Sequence, residues 1–156
     1  MLFRSREAVP GIALSTDLIV GFPGETTADF DETLSLVDYA DYHYVFSFKY
    51  SPRPNTLAVK RMADDVPEVE KTRRITALQA LQRERQLARH SRSVGTIEPV
   101  LVDSISKRRE TELAGRTSGN IVVNFPGPAG WIGRLVPVRI VEAAPNSLRG
   151  EAVGSV

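Results

Sequence analysis

Apolar positions in the first 66 residues form short runs and one helical repeat. Residues 12–20 end in a nearly continuous apolar run, which is typical of a strand buried on both faces. Residues 27–39 carry apolar side chains at i, i+4 and i+7 behind Thr26 and Asp29, which have the spacing of a capping box. Residues 42–50 are rich in aromatic and β-branched side chains and predict a second strand. The order strand, helix, strand predicts a βαβ unit.

A long helix is predicted from Pro67 to about Gly95. Proline suits the first position of a helix, and the acidic Glu68 and Glu70 in the first turn favour the helix dipole. Only a narrow apolar stripe runs along this segment, so its other faces are interpreted as solvated. That interpretation covers six arginines: Arg73, Arg74, Arg83, Arg85, Arg89 and Arg92.

After Gly95 the apolar period changes to two. Five strand candidates are separated by clusters of Gly, Pro, Asn or Ser: residues 97–105, 110–117, 120–125, 135–142 and 147–153. Their number and spacing predict a small, closed or nearly closed antiparallel barrel. Closure would also remove the exposed edges of so small a sheet.

The predicted fold is therefore an α/β part followed by an all-β domain. The predicted divisions are residues 1–66, a connecting helix over 67–93, and the barrel over 94–156. A composition of 42% apolar and 25% charged residues is that of a globular protein. The longest apolar runs are only a few residues, so neither a membrane span nor a secretory signal is predicted, and a cytoplasmic protein is expected.

Charge and cysteine usage restrict the function further. Residues 1–70 hold 6 Lys and Arg against 12 Asp and Glu, whereas residues 71–156 hold 14 against 7, so the second part favours a polyanionic partner. With no cysteine, the chain can form no disulfide, zinc–thiolate site or cysteine-ligated iron–sulfur cluster. His43 and His90 have neither metal-ligand spacing nor a nucleophile partner. No catalytic residue and no metal ligand is predicted.

A glycine-rich turn follows the first predicted strand. Residues 21–25 are not a phosphate-binding Walker loop, because no Lys-Ser or Lys-Thr pair follows. The turn is either purely structural or lets a ligand approach its backbone, with Glu25 supplying a carboxylate. Arg53, between two prolines, is predicted at the same end of the sheet. It is either a ligand-binding cation or the partner of Glu25 or of surface acids.

Basic and amide side chains recur on or between the predicted barrel strands. Lys and Arg supply the charge that a phosphate backbone needs, and Asn can bond to base edges or ribose. The candidate RNA-binding residues are Lys107, Arg108, Arg109, Arg116, Asn120, Asn124 and Arg134. Phe125 and Trp131 are candidates for base stacking, with burial in the barrel core as the alternative for Trp131.

Three stretches in this order resemble the MiaB-type tRNA methylthiotransferases of the radical S-adenosylmethionine class. They are Ser15-Thr-Asp-Leu-Ile-Val-Gly-Phe-Pro-Gly-Glu-Thr26, Phe46-Ser-Phe-Lys-Tyr-Ser-Pro-Arg-Pro-Asn-Thr56, and Gly115-Arg-Thr-Ser-Gly-Asn-Ile-Val-Val-Asn-Phe125 together with Pro145-Asn-Ser-Leu-Arg-Gly150. The resemblance implies a partial TIM-like radical barrel followed by an OB-like TRAM domain.

The resemblance also implies an activity and its cofactors. The family adds a methylthio group to N6-isopentenyladenosine next to the tRNA anticodon, using S-adenosylmethionine, two 4Fe-4S clusters, and sulfur and electron donors. The expected partner is the anticodon arm of tRNA. The family's late-strand Gly-x-Ile-x-Gly-x-x-Glu pattern is matched in part and implies a cofactor wall, to which we assign Ile19, Val20, Gly21 and Glu25. Arg53, predicted near the same pocket, is also assigned to cofactor binding.

The chain departs from the family in one important respect. The family's Cys-x-x-x-Cys-x-x-Cys cluster motif is absent. We therefore expect the carboxyl-terminal part of such an enzyme, inactive by itself, with an unpaired sheet edge that promotes aggregation. Two alternatives stay open: a free-standing RNA-binding TRAM protein without catalysis, and a fragment of a methylthiotransferase that acts on a ribosomal protein.

Overall fold

The computed structural model of this chain describes residues 2–107 and 109–154. These residues belong to two compact units. The first unit comprises Met1–Pro10 and Leu14–Arg85, and the second comprises Gly11–Ala13 and Gln86–Val156. The predicted limits of the connecting helix and of the domains on either side of it stay a prediction.

The first unit is built around a parallel strand pair. Its elements are α1 (Leu2–Ala8), β1 (Ser15–Val20), α2 (Thr27–Ala40), β2 (Tyr44–Lys49), α3 (Leu57–Arg61) and the main part of α4 (Glu68–Ser91). Strands β1 and β2 pair in parallel from Ser15 opposite Tyr44 to Val20 opposite Lys49, which confirms the predicted βαβ unit. Sequence reasoning missed α3, because two prolines precede it and its five residues carry no helical repeat.

Helix α2 begins where the capping box predicts. The Thr26 side chain accepts a hydrogen bond from the Asp29 backbone N–H, and the Asp29 carboxylate accepts one from the Thr26 backbone N–H at 2.8 Å. Hydrogen bonds from Thr26 hold the pKa of Asp29 below its usual value, with the side-chain bond as the largest cause and the backbone bond as the next. The apolar face of the helix packs Phe30 and Val37 into a core with Val20 and Leu78.

The second unit contains a closed five-stranded barrel. Its strands are β3 (Ile97–Ile105), β4 (Glu112–Arg116), β5 (Val122–Pro126), β6 (Leu135–Ala144) and β7 (Ser147–Ala152), in the spatial order β3-β4-β5-β7-β6. The five predicted strands and the closure are confirmed. The expectation of antiparallel pairing throughout was wrong for one pair, since β5 and β7 run parallel. An odd number of strands cannot alternate in direction all the way around a closed ring.

The barrel core is formed by the inward-facing side chains of all five strands. Its fully buried members are Val100, Val102, Leu113, Val123, Phe125, Val136, Val138, Ile140 and Leu148. Phe125 is therefore inaccessible to a nucleobase, and its interpretation as a stacking ring was wrong. Trp131 lies in a short 3-10 helix, Ala129–Trp131, and packs partly buried against this core. That placement agrees with the core interpretation of Trp131.

None of the helices described is both long and apolar enough to cross a membrane. Within residues 2–107 and 109–154, no group of three or more His, Asp or Glu side chains is arranged to hold a metal ion.

Candidate functional site

The glycine loop, residues 21–25, leaves the end of β1 in a tight turn. Gly21 and Gly24 have φ angles of +70° and +83°, and the N–H of Glu25 donates to the carbonyl of Phe22 at 2.9 Å. A Cβ at Gly21 would lie 2.4 Å from Cγ of Lys71, which is itself 4% exposed. Glycine is required at position 21 both for the φ angle and for this close approach.

Glu25 holds the glycine loop in place from within. Its Oε2 accepts a short hydrogen bond from the Gly21 N–H and a second from Nη1 of Arg74 at 2.6 Å. Nη1 of Arg74 also donates to the Glu25 carbonyl at 2.9 Å. Glu25 was predicted to contact a cofactor, and that role stays a prediction. In the structure its Oε2 bonds the loop itself and a helix beneath the loop.

Arg74 is the site residue that sequence reasoning missed. Its interpretation as part of a solvated face was wrong, since the side chain is 5% exposed and its Nε donates to Oε1 of Glu70 at 2.8 Å. Burial alone would lower the pKa of Arg74, but the hydrogen bonds to Glu25 and Glu70 outweigh burial and raise it. The i, i+4 spacing of Glu70 and Arg74 was the available signal, but it does not reveal burial.

Lys71 is a second buried cation under the glycine loop. Its Nζ donates to Oδ1 of Asp64 at 2.5 Å and lies 5.3 Å from the centre of the Tyr50 ring. Gly24 donates its N–H to Oδ1 of the neighbouring Asp65 at 2.8 Å. The first turns of α4 and the segment before it thus fix the loop from two sides.

A cavity of about 400 Å³ opens beside the glycine loop, over the exposed face of the β1–β2 sheet. Its described lining consists of Ile19, Phe22, Phe48, Lys49, Tyr50, Ser51, Arg53, Thr56 and Ala58. Phe22 and Tyr50 meet edge to face at 5.1 Å between ring centroids. Three aromatic rings, two aliphatic side chains and two cations suit a flat heterocycle that carries an anionic or polar group.

Two of the five predicted cofactor residues line this cavity. Ile19 is 54% exposed and lines the cavity with Arg53, whose guanidinium bonds to no described residue. Val20 is fully buried on the opposite face of its strand, and its carbonyl accepts a hydrogen bond from Tyr50 at 2.9 Å. Gly21 and Glu25 are absent from the described lining of this cavity. The partner of Glu25 is Arg74 and not Arg53.

Two predicted RNA-binding residues meet at the turn between β4 and β5. Nη1 of Arg116 donates to Oδ1 of Asn120 at 2.9 Å, and Nε lies 3.5 Å from Oδ2 of Asp103. Asn120 has a φ angle of +62°, which a turn asparagine tolerates. The Arg116 side chain stays 49% exposed, so a held guanidinium faces solvent.

The other candidates lie elsewhere on the surface of the barrel. Lys107 and Arg109 are exposed in the connection between β3 and β4, and Arg134 is exposed just before β6. Asn124 is half-buried on β5. Arg108 lies outside the described residues. Sequence reasoning missed Arg149 and Glu112, because strand alternation predicts outward side chains but not which ones form pairs.

Comparison with known proteins adds two findings. The TRAM domain family matches residues 91–153. The tRNA-2-methylthio-N(6)-dimethylallyladenosine synthase of Halorhodospira halophila is 51% identical over 154 residues, covering 98% of this chain and 32% of the relative. Those of Magnetococcus marinus and Geobacter metallireducens are both 49% identical, covering 96% and 94% of this chain and 34% and 33% of the relatives. The chain spans about a third of the length of the curated relatives it matches.

Proposed function

We propose a function from one premise: this chain is homologous to a segment of the MiaB-type tRNA methylthiotransferases and carries a TRAM domain. Within an enzyme of that type, it supplies the tRNA-binding module and part of the cofactor wall. The reaction would add a methylthio group to N6-isopentenyladenosine beside the anticodon. The observation that carries the proposal is the sequence identity of 49–51% to these relatives. It extends over 94–98% of the chain and is not confined to the TRAM domain.

The barrel surface supports tRNA as the partner. Arg116 is exposed but held by Asn120, so less side-chain entropy is lost when it meets a phosphate. Lys107, Arg109 and Arg134 add exposed cations on the same small barrel. Several cations around a five-stranded barrel give the sequence-independent electrostatic affinity that nucleic-acid binding requires. A tRNA partner in turn makes the cytoplasm the proposed location.

The cavity beside the glycine loop supports S-adenosylmethionine as a ligand. This cofactor supplies methyl groups and, in radical enzymes, the initiating radical. The adenine ring is flat and apolar on its faces, which suits Ile19 and Phe48, and Arg53 offers a cation for the cofactor carboxylate. Glu25 and Arg74 act here as positioning residues, because they hold the loop that borders the cavity.

The residues present do not fit an iron–sulfur cluster. The chain has no cysteine and brings no thiolate to such a group, so no step through a cluster is derived for it. In a longer enzyme, the cluster, the sulfur donor and the electron donor would depend on other segments. The same lack of thiolates favours a second candidate function, an RNA-binding protein that has no catalytic activity.

Filter binding of the full chain to a tRNA anticodon arm between 50 and 200 mM salt tests the proposal. Each phosphate contact is expected to add about −0.7 to −0.9 to the slope of log affinity against log salt. Arg116→Ala and Arg134→Ala should each weaken binding severalfold and reduce that slope by about 1. Arg83→Ala, an exposed arginine of α4, is the matched control and should bind like the wild type. Wild-type affinity in both barrel variants would refute the proposed surface.

A further inference from the structure

A small polar cleft lies on the outer face of the barrel, across β5, β7 and β6. Its volume is about 180 Å³, well below the roughly 300–1,000 Å³ of pockets for drug-sized ligands. Asn124 of β5 lies opposite Arg149 of β7, which lies opposite Glu142 of β6. The three side chains therefore form one row across three neighbouring strands. Glu112 and Arg109 close the cleft on its other side.

Glu112 is an outward-facing residue that is nevertheless buried. Its side chain is 8% exposed, and its Oε1 accepts hydrogen bonds from Nη2 of Arg149 at 2.8 Å and from Nη1 of Arg109 at 3.1 Å. A buried carboxylate is costly unless it is paired, so this geometry ties both guanidinium groups to one point. Nη1 of Arg149 also lies 3.4 Å from Oε2 of Glu142. Glu112 therefore fixes the position of both guanidinium groups at the edge of the cleft.

The Asn124 amide completes the cleft. It is half-buried, lines the cleft, and makes no hydrogen bond to any side chain or backbone group of the described residues. An asparagine amide offers one donor face and one acceptor face, which together pair with the edge of a nucleobase. Nothing within the described part of the barrel uses that capacity.

The charges in the cleft argue against a phosphate as its occupant. Among the described lining residues two arginines face two glutamates, so their formal charges cancel. A phosphate would also meet the Glu142 carboxylate, which is 62% exposed at the rim. A neutral nucleobase with donors and acceptors on its edge and flat faces for arginine stacking has the matching chemistry.

We infer that this cleft holds one unpaired nucleobase of the bound RNA, with Asn124 reading its edge and Glu112 positioning Arg109 and Arg149 around it. The inference rests on the proposed RNA-binding function and adds base selectivity to it. Arg116 also faces outward on β4, four residues after Glu112. At ~3.3 Å per residue, the two positions are about 13 Å apart along the strand. A strand of RNA that places a phosphate at Arg116 can thus present a neighbouring base to the cleft.

Fluorescence anisotropy of the full chain with single-stranded oligoadenylate, oligocytidylate, oligoguanylate and oligouridylate of equal length tests this inference. The wild type should prefer one base over another by about 5- to 100-fold, the range expected of one bidentate base contact. Asn124→Ala should reduce that preference to about twofold and leave the salt slope unchanged. Asn146→Ala, an exposed asparagine in the turn between β6 and β7, is the control and should keep the full preference.

Glu112→Gln provides a second test of the same cleft. Loss of the carboxylate charge should weaken the base preference, because Arg109 and Arg149 lose the ion pair that holds both of them, although Arg149 keeps its contact with Glu142. The fluorescence of the single tryptophan, Trp131, checks that the barrel is folded.

The outcomes separate this inference from the proposed function. Equal binding of all four oligonucleotides by the wild type, with a normal salt slope, would overturn the cleft but leave RNA binding intact. A uniform loss of affinity in Asn124→Ala would indicate a ribose or backbone contact and would also overturn it. Failure of the wild type to bind any RNA would overturn the proposed function itself.

Discussion

At the scale of single residues, Gly21 shows how closely a helix approaches the end of β1. The missing side chain leaves room for Lys71, whose Cγ would lie 2.4 Å from a Cβ at this position. Gly24, three residues on, has a similar positive φ angle but no atom within 4 Å of the corresponding Cβ position. Alanine at position 24 would therefore cost only backbone strain, whereas alanine at position 21 would cost both backbone strain and a steric conflict.

Gly21→Ala is expected to destabilise the first unit more than Gly24→Ala. The left-handed φ angle alone costs about 1–2 kcal/mol for alanine, and the conflict with buried Lys71 adds about 1–3 kcal/mol at position 21. Urea unfolding followed by far-ultraviolet circular dichroism measures both losses, because the helices of the first unit dominate that signal. Equal losses of unfolding free energy in the two variants would show that the Lys71 side chain moves aside without an energetic penalty.

At the scale of elements, the first turns of α4 join two segments of the first unit. Glu70 accepts hydrogen bonds from Arg73 at 2.7 and 2.8 Å and from Arg74 at 2.8 Å. These bonds, first from Arg73 and then from Arg74, lower the pKa of Glu70 from its ordinary value of 4.5 to about 2. Arg74 continues the network to Glu25, so the charge on Glu70 supports the glycine loop.

The lowered pKa predicts how stability depends on pH. A carboxyl group whose pKa is depressed by folding contributes stability above its unfolded pKa and loses it as pH falls through the folded one. The wild type should therefore lose this contribution between pH 4.5 and about 2. Glu70→Gln should melt at a lower temperature than the wild type at pH 6, and the two melting temperatures should converge towards pH 2. Thermal melts of both proteins between pH 6 and pH 2 measure the difference in melting temperature. A difference that stays constant at every pH would contradict the stabilising role of the Glu70 carboxylate.

At the scale of the whole molecule, the β1–β2 sheet leaves one apolar face uncovered. Ile19, Phe46 and Phe48 are each slightly more than half exposed, while the other face packs on the core with Val20. Each strand pairs only with the other among the described residues, so each has an open edge. Adjacent apolar residues next to unpaired edges favour association with another surface.

The chain by itself is therefore expected to self-associate as its concentration rises. Replacing Phe46 and Phe48 by Thr should reduce this association, because Thr keeps the β propensity of the strand and removes the exposed rings. Val69→Thr alters an 83% exposed apolar residue of α4 and serves as the control. Sedimentation velocity over a hundredfold range of concentration is the measurement. If the double variant associates as strongly as the wild type, another surface is responsible for the association.

Local patterns in the sequence determined most of the elements. The period of two after Gly95 was sufficient for five strands, and the capping box of Thr26 and Asp29 was sufficient for the start of α2. These signals are readable because they depend on residues a few positions apart. The exposure of Lys107, Arg109 and Arg134 was predictable in the same way, because charged side chains are mostly exposed.

Only the tertiary structure decided which distant groups meet. A closed ring of five strands must include a parallel pair, and the structure places that pair at β5 and β7. Arg74 can be buried because its guanidinium forms an ion pair with Glu25, 49 positions earlier in the chain. Glu112 is buried at an outward position because Arg149, 37 positions later, covers it. No periodicity encodes these contacts, since each depends on a partner that is brought near only when the chain has folded.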